Sequence, residues 1–399
     1  MSAAPIFTES WLAAMNKKAI ESIARDVRTH YRHLHAHPEL SGEEFETAKY
    51  IQSILKDMDI EVVPYSNGGF HGDIKGEKEG RTVALRADMD ALPITEATGL
   101  DFASETKGLM HACGHDMHMA ILLGTATYFT RHRDFAGTVR LIFQPNEEKD
   151  GGAEVMVAEG VMDGVDNVMG LHVSPYLDLG TIGVHPGFMY AGVEDFKFTI
   201  TGRGGHAARP DACIDPIVCG GHIIVALQTI VSRRFSPLTP AVVTIGSVHG
   251  GNKHNIIPDT MTLEGTIRAD TMDNMHTLRT RLKDIATATA AAHDCRCDME
   301  IIKGYIPLIN DPEATEIIRQ AATEALGPDR VVTLPKPTMS AEDFAYYLQK
   351  APGSFINLGV RKPGEACHAL HTAEFVPEED AVYYGICAEV ASILAFLAQ

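Results

Sequence analysis

Val139-Arg140-Leu141-Ile142-Phe143-Gln144-Pro145-Asn146-Glu147-Glu148 runs from an apolar stretch straight into a pair of carboxylates. Branched and aromatic side chains stopped by a proline read as a buried strand that turns out onto a sheet rim. Val83-Ala84-Leu85, Val168-Met169-Gly170-Leu171 and Phe355-Ile356-Asn357-Leu358 have the same character. Helical patterns lie between, at 117–129 and 153–162. This alternation predicts an α/β fold: a largely parallel sheet with helices on both faces. Polar groups stand at the strand ends: Asp88 after the first, Glu147 and Glu148 after the second, His172 after the third. Ligands of open α/β sheets collect outside the carboxyl ends of strands, so three segments deliver polar groups to one rim.

The stretch His111-Ala112-Cys113-Gly114-His115-Asp116-Met117-His118 concentrates imidazole, thiol and carboxylate. Those donors hold a borderline divalent metal such as zinc or manganese, and packing alone rarely produces such density. Cys113 and His115, two apart, project to one side of an extended chain. Asp116 is placed to N-cap a helix from Met117, leaving Cys113 where a helix dipole favours thiolate. His111 and His118, taken singly, read as supporting or helix-face residues. Adjacent Glu147 and Glu148 diverge, so one can ligate while the other meets a metal-activated water, the division that hydrolysis needs. A solvated acidic turn competes with that reading, given Lys149 and Asp150 alongside. By itself His172 reads as a core histidine, and His371 carries no spacing signal. Asp88 and Asp90, at another strand end, read as supporting or bridging groups.

After about Tyr190 the pattern changes. Strands at 194–201, 242–248, 260–267 and 297–303 alternate with helices at 215–231 and 274–292. Strand-helix-strand-strand-helix-strand is the order of a ferredoxin-like α+β unit. The expected organisation is a catalytic domain in two parts, 1–189 and 306–399, interrupted by an inserted domain at 190–305. Ser41-Gly42-Glu43-Glu44 reads as a capping box opening a helix through Leu55. The formal charge of −19 over 399 residues argues against nucleic acid and anionic membrane partners. No uninterrupted apolar run nears the ~20 residues of a membrane span. The first residues lack the order of a secretory signal, and seven scattered cysteines suggest no disulfide framework. The expected location is cytoplasmic.

In matching order along nearly the whole chain, these segments resemble the M20 metallopeptidase family. The resemblance rests on 33–40, 86–93, 111–118, 143–148, 170–172, 202–210, 339–344 and the His371 segment. It is nearest the amidohydrolase branch: hippurate hydrolases, N-acyl-amino-acid deacylases and plant auxin-conjugate hydrolases. The resemblance implies two divalent ions per chain, manganese or zinc, with cobalt or nickel as alternatives. It implies Cys113, His115, Glu148, His172 and His371 as ligands, Glu147 as general base and Asp90 as orienting carboxylate. His206 would stabilise the oxyanion, reaching a neighbouring subunit's site, and Asn255 and Arg268 would position substrate. The inserted domain would be a lid and dimerisation module, giving a homodimer or homotetramer. The implied reaction is amide cleavage of N-acetyl, benzoyl or indoleacetyl amino acids, with short-peptide carboxypeptidase or dipeptidase activity as the alternative. Departures from the family pattern fall at Asn146, Asp211 and 372–374, none of them a ligand or the base.

Overall fold

The computed structural model describes residues 15–399. It forms two compact units, one running to Met189 and including Ile309–Pro337 and Asp343–Gln399, the other comprising Tyr190–Leu308 and Thr338–Glu342.

The first unit holds an eight-stranded sheet. Its spatial order is Val62–Pro64, Phe70–Lys75, Ala136–Gln144, Lys78–Asp88, Asn167–Asp178, Gly353–Arg361, Ile182–Val184, Val331–Thr333. The four middle strands are mutually parallel. The edges are not: Val62–Pro64 and Phe70–Lys75 form a hairpin, Phe70–Lys75 runs against Ala136–Gln144, and Ile182–Val184 runs against Gly353–Arg361. The sheet is therefore mixed rather than largely parallel. A short connection such as 65–69 can only close an antiparallel pair, whereas parallel neighbours need a crossover. The four middle strands are those whose apolar runs stood out in the sequence, as befits strands covered on both faces.

Helix His115–Arg131 is buried through Phe129, consistent with its apolar sequence. It packs with Lys17–Ala36 and Ala381–Leu397 in one continuous core. The expected capping box does not form. Helix Phe45–Asp57 has no side-chain cap from its own N-cap, and Glu39 accepts from Glu46 N (3.1 Å) and Thr47 N (2.7 Å) instead. Ser41 gives its hydroxyl to Asp90 (2.6 Å).

Ala381–Leu397 carries a buried carboxyl, Glu389, whose Oε2 accepts from Thr125 Oγ1 at 2.6 Å. Burial pushes its pKa up to about 8, the Thr125 hydrogen bond only partly opposing. The folded value lies above the ordinary 4.5. Its stability contribution is thus full at low pH and is lost as pH rises from that value towards 8. Glu389→Gln keeps an acceptor for Thr125 and cannot ionise. Its melting temperature is expected to exceed wild type by on the order of 2 °C at pH 8.5 and to converge with it near pH 5. Parallel melting-temperature profiles across that range would contradict this.

In the second unit, strand Gly192–Thr201, helix Pro216–Leu227, strands Ala241–Gly250 and Thr260–Ala269, helix Met272–Ala292 and strand Arg296–Lys303 follow in order. Spatially the fourth strand lies beside the first, then the third, then the second, all antiparallel. This is the split βαββαβ arrangement. Asp215 caps the first helix, accepting from Ile217 N at 2.8 Å, and Thr271 caps the second. By length and composition Pro216–Arg234 is apolar enough to cross a membrane. In the fold, Cys219, Ile223 and Leu227 pack into this unit's core.

Candidate metal centre

The rim at the ends of the middle strands is where the metal-capable side chains meet. Lys78–Asp88 and Ala136–Gln144 end level, Asp88 paired with Gln144. Asn167–Asp178 runs on for six residues beyond His172, so that histidine lies within its strand rather than closing it. Cys113 precedes Gly114, whose left-handed backbone (φ +86°) N-caps the helix beginning at His115. Asp116, expected as the cap, is one residue inside the first turn, where Oδ1 accepts from Met117 N at 2.9 Å. His371 N donates to Ala112 O (2.9 Å), and its backbone is also left-handed (φ +62°). A β-carbon makes that region costly, and such strain gathers at functional sites. Asn146 takes φ +63° just before the glutamate pair, a conformation that asparagine tolerates well.

Cys113 is the hub. Its Sγ lies 3.3 Å from His172 Nε2 and 3.3 Å from His371 Nε2. Glu148 Oε1 stands 3.0 Å from His371 Nε2 and 4.0 Å from His115 Nε2. Two triads of donor atoms share the thiol, Cys113–His115–His172 and Cys113–Glu148–His371, each within 4.8 Å. His115, Glu147 and Glu148 form a third such group. Overlapping donor sets around one sulfur suit a pair of neighbouring ions.

Unsatisfied atoms point the same way. Among the described residues, His115 Nε2 is buried and meets no hydrogen-bond partner. Glu148 Oε1 finds none among them either, although His371 Nε2 is 3.0 Å away, because proximity without alignment does not make a hydrogen bond. Stranded donors and acceptors of this kind are costly in a protein interior, and a cation satisfies them. Charge agrees. Burial opposes a charge on His115, yet Asp88, Asp90 and Glu148 outweigh it and raise its pKa to about 10. Burial, with Glu148 and Glu147 beside it, pushes the Cys113 thiol well up, opposite to the helix-dipole expectation. An acidic, buried cluster thus draws protons onto two donors, and cations supply the same positive charge. Burial lowers His172 to about 3, so it is neutral, as a ligand must be.

Supporting contacts fix these donors. His115 Nδ1 faces Asp90 O (2.9 Å) and Oδ1 (3.2 Å), while Asp90 Oδ2 accepts from Glu148 N (2.8 Å). Asp90 therefore touches two candidate ligands at once. Asp88, His115 and His118 also lie within mutual reach. His118, however, uses both nitrogens: Nδ1 donates to Asp88 Oδ1 (2.6 Å) and Nε2 accepts from Val173 N (3.0 Å). That fixes its tautomer and removes it as a ligand. His118 thus takes the supporting place its sequence suggested, through partners 30 and 55 positions away that no local pattern reveals.

The structure brings Cys113, His115, Glu147, Glu148, His172, His371 and Asp90 together. His206, Asn255 and Arg268 belong to the second unit. His206 is exposed on a short ribbon opposite Ile256, and Ala207 N donates to Asn255 O (3.2 Å). Arg268 Nη1 donates to Met339 O at 2.7 Å.

Residues 84–394 match Peptidase family M20/M25/M40. The chain is 43% identical over 353 residues to N-acetyl-L-cysteine deacetylase of Bacillus subtilis (strain 168), covering 88% of this chain and 83% of that protein. It is 37% identical to thermostable carboxypeptidase 1 of Saccharolobus solfataricus, covering 92% and 94%. Among solved structures it resembles a Bacillus subtilis protein described as a dinuclear metal binding peptidase from the M20 family. There the TM-score is 0.80 and the identity 35%, over 94% of this chain and 99% of that one. Together with the shared-thiol cluster at the strand ends, this coverage means that the chain belongs to Peptidase family M20/M25/M40.

Proposed function

We propose that this protein is a metal-dependent amidohydrolase that cleaves the amide bond of N-acyl amino acids. The observation that carries the proposal is the pair of donor triads sharing Cys113, with buried Glu147 beside them. Cys113, His115, Glu148, His172 and His371 would hold two divalent ions, whose Lewis acidity would polarise the amide carbonyl and acidify water. Thiolate with imidazole favours zinc, carboxylate favours manganese, and cobalt or nickel are tolerated by the same donors. Glu147 takes the proton of the attacking water and returns it to the departing amine. Asp90 holds the His115 ring and the Glu148 backbone, so one carboxylate orients two ligands.

In the second unit, His206 donates to the developing oxyanion, and Asn255 and Arg268 position substrate, Arg268 through the bidentate fit of guanidinium to carboxylate. That unit, expected from the sequence at 190–305, acts as lid and dimerisation module. Its outer strand Ala241–Gly250 is paired on one side, and Ile217, Val218 and Val225 are exposed on the neighbouring helix. An open strand edge beside an apolar helix face favours self-association, giving a homodimer or homotetramer. Seven free cysteines fit a reducing, cytoplasmic location. If His206 serves a neighbouring subunit's site, mixing inactive His206→Ala subunits with inactive Glu147→Gln subunits restores activity. No recovery on subunit exchange would remove the cross-subunit role.

The likeness to a carboxypeptidase supports a second reading, the same chemistry on short peptides. Amine release from N-acetyl, N-benzoyl and indoleacetyl amino acids, measured beside free dipeptides, separates the two. N-acyl cleavage with dipeptides inert is expected. Preference for dipeptides would move the protein to the peptidase reading.

A further inference from the structure

Asp343, in Met339-Ser340-Ala341-Glu342-Asp343-Phe344, has no part in the chemistry above, yet it is fully buried. Its carboxylate gathers donors from three segments. Oδ1 accepts from Arg86 Nη2 (2.8 Å) and Gln144 Nε2 (2.9 Å). Oδ2 accepts from Gln144 Nε2 (2.8 Å), Gly152 N (2.9 Å) and Ala153 N (3.0 Å). Gln144 is the last residue of its strand, and Ala153 begins the next helix. Between them lies the loop that carries Glu147 and Glu148. One carboxylate therefore ties both ends of that loop together.

The closure is tight. A β-carbon at Gly152 would stand 2.0 Å from Pro145 O, so the loop ends touch where only glycine fits. Gln144 is held in turn, its Oε1 accepting from Arg86 Nε (2.9 Å) and Tyr347 OH (3.0 Å). Arg86 Nη1 continues to Asp88 Oδ2 (2.6 Å), the same carboxylate that fixes His118. Within the loop, Gly151 N donates to Asn146 O (2.9 Å) across its span. Without a ladder of its own, such a loop keeps its geometry through its anchors.

We infer that Asp343 is a positioning residue for the catalytic machinery, a buried clamp that sets where Glu147 and Glu148 stand. This rests on the reading of Glu147 as base and Glu148 as ligand. The clamp needs a full carboxylate, because Arg86, Gln144, Gly152 and Ala153 all donate to it, and charge-assisted bonds are the strong ones. A carboxyl oxygen of Glu147 itself lies within 4.8 Å of it. Asp343→Asn turns an NH2 towards donors and takes a counter-charge from buried Arg86. Gln144→Glu sets a second carboxylate against Asp343. The double variant restores the charge count: the new amide at position 343 donates to the new carboxylate at position 144, and its oxygen receives Gly152 N and Ala153 N.

The test is amide hydrogen exchange on peptides spanning 145–153 in the full chain, with kcat and KM measured in parallel. Each single variant is expected to exchange roughly tenfold faster there, with the strands around Val83 and Phe355 unchanged. kcat should fall by about tenfold or more at near-constant KM. The double variant should regain most of both. Unchanged loop exchange in the single variants, or no recovery in the double, overturns the inference. If Asp343→Asn fails to fold, Gln144→Glu and the double variant still decide. A wild type that cleaves no amide would overturn the functional reading, while the exchange data would still test the clamp.

Discussion

Glu147→Gln should lose at least ~100-fold in kcat while retaining its metal, because general-base contributions run from about 10² to 10⁴. The substitution conserves size at a buried position and removes only the ability to take a proton. Cys113, His115, Glu148, His172 and His371 are untouched, so metal content is the control that gives the rate its meaning. It matters here because Glu147 and Glu148 both lie within reach of His115. Full metal content with a large rate loss assigns the base to Glu147. Loss of metal in this variant would mean that the two glutamates exchange roles.

Cys113→Ala is expected to release at least one of two ions per chain. Its rate loss should exceed the ~10–100-fold that the loss of an outer partner costs. The thiol is 3.3 Å from both His172 and His371 and belongs to both donor triads, so its removal strips a ligand from each at once. His118→Phe is the useful contrast, since His118 has no nitrogen free for metal. An unchanged metal count in Cys113→Ala, measured by elemental analysis, would remove the sulfur from the ligand set.

The middle strands and the donor-rich stretch around Cys113 and His115 were legible because each advertises itself locally, whereas His172 and His371 carried no local signal. A buried parallel strand must be continuously apolar, and soft donors crowded into eight residues have few other reasons to be there. The second unit's order was legible too, because alternating and helical periods differ along a single stretch of chain. What stayed hidden depends on partners remote in sequence. Ser41 looked like a cap and instead serves Asp90, 49 residues on. Glu39 caps a helix it does not adjoin. Asp343 meets Arg86 across 257 residues, a closure that no local pattern encodes. The antiparallel sheet edges were missed because strands of three to six residues carry too short a period to register. The left-handed backbone of His371 left no mark in its sequence either.

The most direct test of the central claim is to strip the protein with chelator and titrate manganese or zinc back, following amine release from an N-acyl amino acid. The stripped protein is expected to be silent, its rate returning and saturating at two equivalents of metal per chain. A stripped protein that cleaves as fast as the untreated one would contradict it.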